Sequence, residues 1–279
     1  MFFRKQRKEK KVAVGKYHLL ANVAHPVEAY LTEHKYYSRN FPRIAKYIEK
    51  KYQLYSIIDV GANIGDSIAL LRSYDVQQKI YAIEGDPIYF DLLQKNISQF
   101  KDAAIFKAFL GEESKTENLT NDSSMGTGRL TASAASIVIE KLDDFVTTNH
   151  LTGVKLLKID TDGFDLKILR GAFQFIEANL PVIFFEYDAV FLEEQHENGV
   201  DIFIQLKSRG YATALFYDNY GKFLLSLNIE NMVAIEQLYG YMKKREGAFQ
   251  YFDVCLFHKN DDDIAKDVIE KEMMFFEGA

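Results

Sequence analysis

The stretch Ile57-Ile58-Asp59-Val60-Gly61-Ala62-Asn63-Ile64-Gly65-Asp66 constrains this chain more than any other. Ile57 to Val60 have the composition of a short buried strand, β-branched and apolar, with the acid Asp59 near its end. Gly61 and Gly65 flank a small turn, where residues lacking a Cβ let the backbone come close to a ligand. Asp66-Ser67-Ile68-Ala69-Leu70-Leu71-Arg72 then has helical spacing and an acid in its first turn. Strand, glycine turn and helix N-terminus in succession make a nucleotide-type pocket at the carboxyl edge of an α/β sheet.

The spacing narrows the ligand. Dinucleotide sites use G-x-G-x-x-G, whereas this turn reads G-x-x-x-G with Asn63 in place of the second glycine. Downstream, Lys79-Ile80-Tyr81-Ala82-Ile83-Glu84 forms a second strand ending in an acid suited to accept from both ribose hydroxyls. NAD and S-adenosylmethionine share that requirement, so Glu84 alone does not choose between them. A generic Rossmann-type turn with an ordinary buried-strand acid is the bland alternative. As a pair, IDVGANIG and AIEGDP resemble motifs one and two of class I S-adenosylmethionine methyltransferases, in particular the FkbM-like family.

A chain of 279 residues, 48% hydrophobic, suits one large α/β domain with additions. The net charge of −6 argues against a nucleic-acid substrate. The single cysteine, Cys255, lies in an apolar run as a small hydrophobe, which excludes an internal disulfide and fits a reducing, cytoplasmic setting. No apolar run is long enough to span a bilayer. The N-terminus, with Arg4, Lys5, Arg7, Lys8, Lys10 and Lys11, reads as a solvated tail or as a weak contact to an anionic membrane surface.

Three regions follow: an N-terminal extension and helical cap over 1–52, a catalytic domain over 53–260, and an acidic tail or helix over 261–279. In the cap, Pro26 opens one short helix and Pro42 to Ile48 form another. Arg39 reads either as a partner for a cofactor carboxylate or as a plain surface arginine. Strands then alternate with helices: Ile57 to Val60, Lys79 to Glu84, Ala103 to Leu110, Val154 to Asp160 and Pro181 to Asp188. This alternation predicts a Rossmann-like α/β fold with a seven-stranded, mostly parallel sheet. Tyr211 to Leu227 reads as a hairpin, and Tyr251 to Phe257 as a last, antiparallel strand. The polar insertion 112–136 reads as a loop or hairpin, serving as a lid or as a surface excursion.

The carboxyl edges of adjacent parallel strands share one crevice, and here that edge carries Asp59, Glu84, Asp160, Asp162, Glu186 and Asp188. Methyl transfer to a hydroxyl needs positioning and a base. Asp160 and Asp162 are the leading candidates for that base. Asp160, Asp162 and Glu186 are also candidate ligands of a divalent metal, and Asp162 is equally a candidate helix cap. Glu186 ends an apolar run in which structure alone gives an acid no purpose. None of His18, His25, His34, His150, His196 and His258 shows metal-ligand spacing; His25 and His34 remain minor candidates for catalysis.

The segment Lys158-Ile159-Asp160-Thr161-Asp162-Gly163-Phe164-Asp165 with Leu169-Arg170-Gly171 is similar to the FkbM signature K-I-D-x-E-G-x-E…L-x-G, with Asp at 162 and 165 where Glu is usual. Phe184-Phe185-Glu186-Tyr187 resembles the family's strand-five acid. The resemblance implies S-adenosylmethionine as cofactor, cradled by Asp59, Gly61, Ala62, Asn63, Gly65 and Asp66. It puts the ribose on Glu84 beside Gly85, the adenine against Asp86, Phe109 and Leu110, and Asp160 between cofactor and acceptor. It implies O-methylation of a sugar or glycan-type natural product in polysaccharide assembly. A nucleic-acid methyltransferase and a non-catalytic cofactor-binding module are the alternatives.

Overall fold

The buried apolar runs pair in parallel and build the centre of the molecule. The computed structural model describes residues 8–122, 129–244 and 249–278. The chain opens with β1 (Glu9–Val14), β2 (Tyr17–Asn22), α1 (Val27–Glu33) and α2 (Asn40–Ile48). The Rossmann-like half follows as β3 (Ser56–Val60), α3 (Asp66–Ser73), β4 (Lys79–Ile83), α4 (Pro87–Asn96) and β5 (Ala103–Phe106). Next come β6 (Phe109–Gly111), β7 (Lys115–Asp122), β8 (Arg129–Lys141) and α5 (Leu142–Thr148). The second half runs β9 (Val154–Ile159), α6 (Asp165–Arg170), α7 (Phe173–Asn179), β10 (Val182–Tyr187), α8 (Ala189–Glu194) and α9 (Asp201–Ser208). It closes with β11 (Tyr211–Asp218), β12 (Phe223–Asn228), α10 (Met232–Lys243), β13 (Phe252–His258) and α11 (Asp262–Glu277).

The main sheet has the order β12-β11-β13-β10-β9-β3-β4-β5. Strands β10, β9, β3, β4 and β5 are parallel, and β13 joins β10 antiparallel. The expected seven strands become eight because the hairpin partner β12 extends the edge beyond β11. Parallel strands are covered on both faces, and the pleat sorts them accordingly. Ile58, Val60, Leu157 and Ile159 enter one apolar cluster, while Ile57, Leu156, Val182 and Phe184 enter the other.

The structure departs from the expected elements in two places, at the N-terminus and in the strand expected over Ala103 to Leu110. Glu9 to Lys11, expected in the tail, instead begin an antiparallel hairpin over residues 9–22, with Val12, Val14, Leu19 and Ala21 buried. Lys10 there pairs with Glu28 at 3.1 Å instead of reaching outward, while Arg4, Lys5 and Arg7 lie outside the described residues. The strand expected over Ala103 to Leu110 breaks after Phe106, and Phe109 to Gly111 cross to a second sheet, β6-β8-β7. The polar insertion forms the antiparallel pair β7–β8, whose connecting residues 123–128 lie outside the described ones. Helices α6 and α7 are parted at Gly171 and Ala172, and a Cβ added at Gly171 would overlap the Gly111 carbonyl.

The acidic C-terminal segment is more than a surface helix. Glu272 of α11 is fully buried, and its carboxylate takes two hydrogen bonds from Arg43 of α2, at 2.8 Å from Nε and 2.7 Å from Nη2. The ring of Phe275 lies 4.5 Å from the guanidinium. Among the described residues, no helix is long and apolar enough to cross a membrane. Removing one partner of a buried ion pair leaves a charge without compensation, at a cost of about 3–5 kcal/mol. Glu272→Ala is therefore expected to lower the unfolding free energy by about that amount in a denaturant titration. A loss below about 1 kcal/mol would show that the pair does not hold α11 to α2.

Candidate active site

A cleft of about 360 Å³ opens at the carboxyl edge of β3, β4, β9 and β10. Residues following those strands form its floor, and residues before and within α1 and α2 form its roof.

One end is a cradle centred on Glu84. The Glu84 carboxylate accepts from the backbone N–H of Asn63 and of Asp86, both at 2.7 Å. Burial pushes it up to about 7, although those two amides pull the other way. Gly85 lies so close to the Phe109 ring that a Cβ there would overlap it. Gly61 has φ +80°, and a Cβ on it would overlap the Asp160 carbonyl oxygen. The neighbouring loop therefore requires glycine here. Asn63 takes φ +48°, a left-handed turn position that asparagine tolerates. Asp66 lines the cleft, with burial pushing its carboxyl to about 6.

The other end is acidic. Lys158 lies beneath it, 5% exposed, with Nζ 3.1 Å from Asp59 Oδ1 and 3.1 Å from Asp160 Oδ2. Burial works against its charge, but Asp160 and Asp59 hold the ammonium well above the ordinary lysine value. Asp160 leaves half its side chain open to the cleft. Glu186 is 8% exposed, and its buried Oε2 has no hydrogen-bond partner. Burial, then Asp160, Asp162, Asp165 and Asp188, push Glu186 well above the carboxylate range. Directly across the strand pair stands Asp253, which accepts from Asn40 Nδ2 at 2.7 Å. Burial pushes Asp253 to about 7. Tyr37 and Tyr251 line the same end, and burial raises both phenols.

Most expected residues meet in this cleft: Gly61, Asn63, Asp66, Glu84, Gly85, Phe109, Leu110, Asp160, Asp162 and Glu186 all line it. Others stand back from it. Asp59 is fully buried behind the floor and acts through Lys158. Ala62 and Gly65 shape the turn; Gly65, at φ +90°, is the cap residue of α3. Asp86 caps α4, accepting from Ile88 N at 2.5 Å and Tyr89 N at 3.2 Å. Arg39 is not among the lining residues; its guanidinium donates to the Lys35 carbonyl within its own turn.

Asp162 is not the helix cap. It occupies a left-handed turn position, φ +51°, and the turn amides of Thr161 and Gly163 donate to Asp165 instead. Among the described residues, no group of three or more His, Cys, Asp or Glu is placed to hold a metal ion, so Asp160, Asp162 and Glu186 do not form one. Sequence reasoning missed Asp253, Tyr37, Tyr251 and the bridging role of Lys158. Asp253 had a signal: a lone acid in the apolar run Phe252-Asp253-Val254-Cys255-Leu256-Phe257. Of the two histidines set aside for catalysis, His25 lines the cleft, whereas His34 stacks on Tyr220 with centroids 4.1 Å apart.

The family model of the methyltransferase FkbM domain matches residues 59–213, more than half of the chain. The chain belongs to the FkbM methyltransferase family. The FkbM match runs from the end of β3 to the start of β11. It leaves out the N-terminal hairpin, α1, α2 and β13, and with them His25, Tyr37, Asn40 and Asp253. No curated protein matches the chain significantly. Among solved structures, the chain is similar to methyltransferase FkbM from Methylobacillus flagellatus KT, with 18% identity and a TM-score of 0.39 over 58% of this chain and 40% of that one. It therefore spans about two fifths of that protein's length. A putative caffeoyl-CoA O-methyltransferase from Staphylococcus aureus shares 11% identity with a TM-score of 0.42, over 78% of this chain and 82% of that one. The fibrillarin pre-rRNA processing protein of Methanococcus jannaschii shares 11% identity with a TM-score of 0.43, over 91% of this chain and 86% of that one.

The raised carboxyls have a consequence for stability. A group whose folded pKa lies above its unfolded value binds protons more tightly when folded. Asp253, Glu84 and Asp165, each pushed to about 7 by burial, thus support the fold at low pH and withdraw that support as pH rises from about 4 through about 7. Asp253→Asn removes one such group. It is expected to gain unfolding free energy relative to the parent at about pH 8 compared with about pH 5. An equal difference at both values would contradict the raised pKa.

Proposed function

We propose that the chain is an S-adenosylmethionine-dependent O-methyltransferase acting on a hydroxyl of a carbohydrate or glycan-type natural product. The observation that carries this reading is the two-ended cleft: a carboxylate held by two backbone amides at one end, and a buried carboxyl with one unpartnered oxygen among other acids at the other. The cradle fits an adenosyl group. Glu84 offers its remaining lone pairs to a ribose diol, and Phe109, Leu110 and Ile83 offer apolar surface to a purine. When bound there, the cofactor supplies an electrophilic methyl group.

The acidic end serves the acceptor. A sugar hydroxyl donates hydrogen bonds readily to carboxylates, and it becomes a competent nucleophile as its proton leaves. Glu186, raised by burial and by its acidic neighbours, binds a proton more firmly than an ordinary carboxylate and is the group proposed to receive it. Asp160 and Asp162 lie on the same wall, and Lys158 fixes the first of them. Tyr37 and Tyr251 give the pocket aromatic sides on which a sugar ring can rest. A nucleic-acid acceptor fits poorly with carboxylates at the mouth and a net charge of −6. Strand β8 runs beside β6, which carries Phe109 and Leu110, and that adjacency supports reading the β7–β8 hairpin as a lid rather than a surface excursion.

Titration calorimetry with S-adenosylhomocysteine is expected to show saturable binding, weakened about tenfold or more by Glu84→Ala, since the amides of Asn63 and Asp86 lose their acceptor. In a radiolabelled methyl-transfer assay against candidate glycans, Glu186→Gln is expected to cut turnover by about 10²–10⁴-fold while keeping cofactor affinity. Unchanged turnover in Glu186→Gln would remove Glu186 from the chemistry.

A further inference from the structure

The turn that carries Asn63 is gripped from a part of the chain outside the FkbM match. His25 follows the β1–β2 hairpin, is 7% exposed, and lines the cleft. Its Nδ1 accepts from the backbone N–H of Val27 at 3.3 Å. The ring proton therefore belongs on Nε2, which lies 3.1 Å from Asn63 Oδ1 and donates to it. Asn63 in turn donates its backbone N–H to Glu84. The edge of the imidazole meets Tyr89, in the first turn of α4, with centroids 5.8 Å apart. Burial lowers the pKa of the ring, which keeps it neutral and keeps Nδ1 available as an acceptor.

A space-filling role accounts for the contact with Tyr89 but not for both nitrogens being engaged, one of them by the side chain of a turn residue 38 positions away. Asn63 holds a left-handed backbone conformation, and its amide hydrogen bond orients Glu84. Whatever fixes Asn63 also fixes the direction in which that carboxylate faces.

We propose that His25 is a positioning residue of the cofactor site: through Asn63 it locks the turn that presents Glu84, so the segment joining the N-terminal hairpin to α1 is part of the binding machinery. The inference rests on the reading of the cleft as an S-adenosylmethionine site. It implies that residues 59–213 do not make a complete site without the segment that carries His25.

Calorimetry on the full chain with S-adenosylhomocysteine tests it, with unliganded melting temperatures recorded alongside. His25→Phe keeps a ring against Tyr89 and removes the donor. Asn63→Gly removes the acceptor and tolerates positive φ. His25→Gln restores an amide donor. The first two are each expected to weaken binding about five- to tenfold. Together they should weaken it no further than either alone, because both remove one bond. His25→Gln should bind more tightly than His25→Phe. Binding by His25→Phe within about twofold of the parent, losses that multiply in the double variant, or a His25→Gln no better than His25→Phe would each overturn the proposal. If His25→Phe does not fold, Asn63→Gly decides alone, and unchanged affinity there overturns it. A parent chain that does not bind S-adenosylhomocysteine at all overturns the cofactor reading instead.

Discussion

The buried ammonium of Lys158 is the interaction on which the rest of the site depends. It sits where β3 and β9 run side by side, with Asp59 and Lys158 in direct register. One carboxylate beneath the floor and one above it share this cation. An uncompensated charge in that position costs several kcal/mol, so Asp59 and Lys158 require each other. The half-open Asp160 is held in place as a result. The same crowding explains Gly61, whose backbone passes against the Asp160 carbonyl with no room for a side chain.

From that bridge the two ends of the cleft diverge in character. At the Glu84 end, acid and backbone amides satisfy one another, giving a rigid acceptor surface. At the Glu186 end, acids crowd together with fewer donors, and burial favours their protonated forms. Burial raises Glu84 as well, to about 7, so what separates the two ends is the donors: a carboxyl held by two amides suits holding a ligand still, and one with an unpartnered oxygen suits exchange of a proton with a hydroxyl. The division of labour proposed for the cleft follows from that contrast. It needs elements well outside the family match, since Asn40, Tyr37 and Asp253 come from α2, the segment before it, and β13.

What the sequence disclosed and what it hid differ by the range of the interactions involved. Ile57 to Asp66 was legible because strand, turn and helix signals lie within ten adjacent positions, and the Glu84 and Glu186 strands because their apolar runs end in an acid. The β1–β2 hairpin was missed because its alternation is masked by lysines on the open face, and its buried face needs α3 and α4 to make sense. That the amides of Thr161 and Gly163 turn to Asp165 was hidden because it depends on a left-handed turn at Asp162, a backbone detail that spacing does not encode. Arg43 and Glu272 stand 229 positions apart, and nothing local marks either as buried. Asp253 and Glu186 meet only because the last strand inserts between β10 and β11.

The central claim is that Asp59 and Lys158 hold each other and thereby set the floor of the site. The most direct measurement is the unfolding free energy of the parent chain, Asp59→Asn, Lys158→Met and the double variant. The account predicts a coupling on the order of 2 kcal/mol, with the double variant losing less stability than the two single losses combined. A coupling below about 0.5 kcal/mol would mean that the two side chains are independent, and the floor would need another explanation.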